Sequence, residues 1–133
     1  MIIQHIHPTS EQLQALAQLD QEKPIVMLNL LRFKELADDG QSTGAEAYAR
    51  YAKNVQSFLA GVGGKLMWAG TAAQVLIGDP ANPPHKVLLV EYPSVQHFLK
   101  MATDPEYLKV AHDRTIALEY GGLVACFPDS LPS

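Results

Sequence analysis

The chain has a single cysteine, Cys126, which excludes an internal disulfide. It lacks any clustering of positive charge: ten Lys and Arg are scattered among fourteen Asp and Glu, giving a formal net charge of −4. Without a basic patch interleaved with aromatics, a nucleic-acid partner is not expected. The apolar runs are no longer than a strand, too short to span a bilayer, so no membrane partner is expected. The N-terminal MIIQHIHPTSEQ has no positive region followed by an apolar one and does not read as a secretory signal. A Gly-x-Gly-x-x-Gly fingerprint, a P-loop and a Gly-x-Ser-x-Gly elbow are all missing. Gly61–Gly64 (GVGG) follows a helical pattern instead of opening one, so it reads as a cap and not a phosphate cradle. These absences point to a cytoplasmic protein with no cofactor.

What is present is an ordinary globular composition, 47% hydrophobic and 18% charged over 133 residues, expected to form one domain with its core at about 23–127. The most informative stretch is Lys23–Lys34 (KPIVMLNLLRFK), an apolar strand interrupted by Asn29 and, near its end, Arg32. Before it, Thr9 and Gln12 have capping-box spacing at the head of a short helix. Thr43 and Glu46 repeat that spacing ahead of a helical stripe of Tyr48, Tyr51, Ala52, Val55, Phe58, Leu59 and Val62. A strand is expected at Lys65–Ala69, bulged at Gly70-Thr71 and continuing through Gln74–Ile77. Prolines 80, 83 and 84 break it, because proline cannot donate to a ladder. Lys86–Tyr92 is the next strand. Ser94 caps a helix that Asp104-Pro105 restarts, with Leu108, Ala111, Thr115 and Leu118 facing inward until Gly121-Gly122 stops it. Leu123–Phe127 completes the order, with Cys126 read as a buried structural thiol.

The first helix aside, this order is strand–helix–strand–strand–helix–strand. That is an α+β, ferredoxin-like βαββαβ plan with an extra N-terminal helix and an antiparallel-rich four-stranded sheet. The strands at 25–33 and 86–92 are read as parallel central neighbours, which places Arg32 and Glu91 for an ion pair. Helices on one face leave the other face aliphatic and bare. A monomer rarely exposes so large an apolar patch, so a homodimer through the open sheet face is expected.

The succession VMLNLLRFKE, Tyr48 and Tyr51, GGKLMWAG, VLLVEYPS and DPEYLKVAHDRT resembles a bacterial family of unknown function, numbered thirteen-thirty, over roughly residues 23–127. The resemblance implies membership of the dimeric α+β barrel superfamily. That superfamily includes cofactor-free monooxygenases, isomerising enzymes and effector-binding domains, whose ligands sit in many cases between sheet and helices.

Candidate site residues follow from cost and chemistry. An amide on a central strand needs a partner, so Asn29 either orients a ligand carbonyl or phenol or bonds internally. Tyr48, Tyr51 and Trp68 either line the same cleft or pack as core. Glu91 is a candidate proton carrier unless Arg32 holds it ionised. His112 and Arg114 are candidates for binding an anionic group at the cleft mouth. His5 and His7 share a face if extended but lack a third ligand, and His85 and His97 stand alone, so no metal is expected. Two functions remain open. One is binding of a small, partly apolar molecule, or cofactor-independent monooxygenase- or isomerase-like action on it. The other is a non-catalytic sensory or assembly module whose main role is dimerisation.

Overall fold

A computed structural model describes residues 6–129. Helix α1 (Ser10–Ala17) leads into strand β1 (Ile25–Phe33), helix α2 (Gly44–Gly61), strands β2 (Lys65–Thr71) and β3 (Lys86–Tyr92), helices α3 (Val95–Ala102), α4 (Pro105–Val110) and α5 (His112–Ala117), and strand β4 (Leu118–Cys126). Both capping boxes form, Thr9 with Gln12 and Thr43 with Glu46. Asp104 caps α4 ahead of Pro105, and Ser94 caps α3. Each side chain satisfies amide donors that a helix start leaves free. Among the described residues no helix is long and apolar enough to cross a membrane.

The sheet order is β2-β3-β1-β4 and every neighbouring pair is antiparallel. The expected parallel pairing of β1 with β3 is therefore wrong. The crossover through α2 makes β2 run with β1, and the β2–β3 connection then reverses the chain, so β3 enters the sheet against β1. The sheet is also open. Its edge strands β2 and β4 are separated by the two central strands and do not meet. Four strands of this length do not close on themselves. The ferredoxin-like plan holds, and the α+β barrel does not.

Alternation along β1 divides the two faces. Ile25, Met27 and Leu31 are buried under the helices in two clusters. One cluster adds Ala47, Tyr48, Tyr51, Ile116 and Ala117; the other adds Tyr92, Val95 and Met101. The opposite face carries Val26, Leu28, Leu30 and Arg32, in register with Leu89 and Val87 of β3 and Val124, Gly122 and Tyr120 of β4. Trp68 and Gly70 of β2 continue that face.

Several boundaries differ from expectation. The β2 bulge falls at Met67, between Leu66 and Trp68, and the strand ends at Thr71, so 74–77 is loop. The second helical region is broken between Val110 and His112, and Leu108 is 55% exposed instead of inward. Gly121 and Gly122 lie inside β4 and do not stop a helix. Gly121 is needed there for close approach: a Cβ would meet the Arg114 guanidinium at 2.5 Å. Cys126 is exposed on its edge strand, not buried.

Candidate functional site

The expected site residues are divided between the two faces of the sheet. On the helix side, the Tyr48 ring lies tilted at 5.4 Å from those of both Phe33 and Tyr51, and the Tyr51 and Tyr107 hydroxyls meet at 2.9 Å. Burial pushes the Tyr48 phenol up to about 12, with the nearby Arg114 guanidinium opposing the shift. Burial raises Tyr51 further still, reinforced by Tyr107. These rings are core. Arg114 reaches over the sheet, donating from Nη2 to the Gly121 carbonyl at 3.2 Å and from Nη1 to the Ile6 carbonyl at 2.7 Å. Asn29 shares this side and donates from Nδ2 to the carbonyl of Met27, on its own strand, at 3.1 Å. His112 is exposed at the start of α5.

Trp68 is not part of that group. Its indole lies over Gly70 on the opposite face, where the glycine leaves room for the ring. Glu91 is remote as well. It is in register with Val26, whereas Arg32 is in register with Tyr120. Six residues of strand separate the two levels, roughly 20 Å. The Arg32–Glu91 ion pair is thus excluded by the antiparallel order. Arg32 pairs instead with Glu119, Nε to Oε2 at 2.6 Å. Among the described residues no three His, Cys, Asp or Glu side chains come together as a metal set. His5 lies outside the described residues.

Arg32 belongs to a concavity that the sequence reading missed. The connection between β2 and β3 folds back over the end of β1. The Ala72 N–H donates to the His85 carbonyl at 3.0 Å, and the His85 N–H donates to the Leu31 carbonyl at 2.7 Å. Pro80, Pro83 and Pro84 have no N–H with which to build a turn ladder. Side chains pin the loop carbonyls instead: Arg32 Nη1 donates to Pro83 at 2.7 Å and the Tyr120 hydroxyl to Asn82 at 2.9 Å. Arg32, Gln74 and His85 then share a cavity of about 530 Å³ with Ala72, Val75, Pro80 and Val87. His85 Nδ1 accepts the Phe33 amide at 3.0 Å, and Nε2 lies 3.2 Å from Arg32 Nη1. This is a mostly apolar recess with a few convergent polar groups, the usual form of a small-molecule site. A second concavity, of about 420 Å³, lies between Asp20, Lys23, Pro24 and residues Phe127–Asp129, without a comparable convergence of donors.

Residues 38–125 match the family model for a domain of unknown function, DUF1330. A solved protein of unknown function from Rhodopseudomonas palustris is 37% identical, with a TM-score of 0.91, covering 97% of this chain and 100% of that one. The chain belongs to the DUF1330 family. Beyond the family, the fold is shared with two enzymes. A hydroxynitrile lyase from Passiflora edulis is 16% identical, with a TM-score of 0.59 over 84% of this chain and 99% of that one. SnoaB, a cofactor-independent oxygenase from Streptomyces nogalater, is 13% identical, with a TM-score of 0.53 over 84% and 99%. Among curated proteins there is no significant sequence match. In this DUF1330 chain the residues missed by sequence reasoning are His85, Gln74 and Glu119. The Pro-Pro-His step before β3 was the available signal, since prolines that cannot ladder leave a neighbouring imidazole free to bond across the sheet end.

Proposed function

We propose that this DUF1330 protein is a homodimer that binds a small, partly apolar molecule in the recess at the end of β1 and acts on it without a cofactor. The observation that carries this reading is the meeting of Arg32 and His85 at 3.2 Å within a cavity of about 530 Å³ that is otherwise largely aliphatic and proline-lined. The recess offers contact area for an apolar body and fixed donors for one polar group. Likeness of fold to a hydroxynitrile lyase and a cofactor-independent oxygenase supports small-molecule chemistry of that general kind. In a monooxygenase- or isomerase-like reaction, Arg32 would hold developing negative charge and the His85 Nε2–H would donate a hydrogen bond to the same oxygen. Asn29, Tyr48, Tyr51 and Arg114 then support the sheet from behind. The homodimer is supported by the uncovered face of Leu28, Leu30, Val87, Leu89 and Val124, with Trp68 55% exposed beside them.

A non-catalytic assembly module is the second reading. It is favoured by Asn29, whose amide already bonds to its own strand. Amide NMR spectra recorded with a panel of small phenols, carbonyl compounds and carboxylic acids separate the two. Shifts confined to Ala72, Val75, His85 and Val87 are the expected result. Shifts at Asn29, Leu123 and Arg114 would move the ligand to the helix side, and no shifts at either place would favour the assembly module.

A further inference from the structure

The meeting of Arg32 and His85 has an unusual polarity. A backbone N–H can only donate, and the Phe33 N–H meets His85 Nδ1 at 3.0 Å. Nδ1 is therefore the acceptor nitrogen, and the ring hydrogen resides on Nε2. Nε2 lies 3.2 Å from Arg32 Nη1, and a guanidinium has no acceptor to offer it. Two N–H donors thus converge beside the recess, and no acceptor among the described residues answers the imidazole.

The donors are held in place from behind. The His85 N–H donates to the Leu31 carbonyl at 2.7 Å, and its ring lies 5.7 Å from that of Phe33. Arg32 is anchored through Nε by Glu119 at 2.6 Å and through Nη1 by the Pro83 carbonyl at 2.7 Å. An anionic oxygen seated between His85 Nε2 and the guanidinium would replace this donor–donor contact with two charge-assisted hydrogen bonds. Glu119 already offsets the charge of Arg32, so the site suits a monoanion better than a phosphate dianion.

We propose that the recess takes a small monocarboxylate, with one carboxylate oxygen bridging His85 Nε2–H and the Arg32 guanidinium, and its hydrocarbon body against Val75, Val87 and the prolines. This rests on the recess being the ligand site and adds the ligand's charged group. The test is titration of the full chain, labelled with nitrogen-15, with benzoate, benzamide and inorganic phosphate, reading backbone amides and imidazole nitrogens. Benzoate is expected to shift His85 Nε2 and the amides of Ala72, Val75 and Val87, and to bind at least tenfold tighter than benzamide or phosphate. His85→Asn keeps an acceptor for the Phe33 amide and removes the Nε2 donor. It is expected to weaken benzoate at least tenfold and benzamide by clearly less, since a neutral carbonyl makes the weaker bond to the same donor. Equal binding of benzoate and benzamide, with shifts at the recess, would overturn the carboxylate and leave the recess standing. Absence of recess shifts with any of the three probes would overturn both. The wild-type imidazole signals decide the matter if the variant fails to fold.

Discussion

At the scale of the residue, a side chain's role is set by what its strand or helix brings beside it. Tyr48 illustrates this. Its phenol, pushed up to about 12 from 10 by burial, stays neutral in the fold while an unfolded chain would already ionise. A raised acidic group contributes its stability in full below pH 10 and loses it as pH rises toward 12. Alkaline unfolding is therefore expected to steepen across that window, by roughly 2–3 kcal/mol from this group. Tyr48→Phe should flatten that part of a stability-against-pH curve measured by urea titration. The tyrosine stripe was legible in sequence because helical spacing alone puts Tyr48 and Tyr51 on one face. The Arg32–His85 meeting was not, since it joins residues 53 apart through a proline loop whose path no local pattern encodes. Asn29, a polar group on a central strand, finds its partner in a carbonyl two residues away on its own strand.

Among the elements, local chemistry at helix starts was read accurately and strand direction was not. Thr9, Thr43, Ser94 and Asp104 all cap as their spacing indicates. Thr43→Ala removes the acceptor for the Glu46 amide, found at 3.0 Å, at the start of the 18-residue α2. It is expected to cost about 1 kcal/mol in a denaturant titration. Capping depends on a few consecutive residues, so sequence suffices. Whether β1 runs with or against β3 depends on where one crossover and one reversal leave the chain, and that is a property of the order of elements and not of any one of them. One error of direction misplaced Glu91 by the length of a strand. Likewise Gly121-Gly122 reads in sequence as a helix stop, whereas both lie inside β4, where Gly121 admits the Arg114 guanidinium.

For the molecule as a whole, the open sheet leaves an aliphatic face, which the proposed homodimer would cover. Sedimentation velocity at micromolar concentration is expected to give twice the chain mass. Leu28→Glu, which places a charge among Leu30, Leu89 and Val124, should convert this to the monomer with the far-ultraviolet spectrum unchanged. A sequence reading could foresee the face from alternation but not the open edges, which are fixed by strand number and order. The position of Trp68 has a further use. It is the chain's one tryptophan, and its ring lies over Gly70 on this face. Its emission therefore serves as a built-in reporter. A blue shift on concentration, absent in Leu28→Glu, would follow association in the unlabelled protein and yield a dissociation constant from a dilution series.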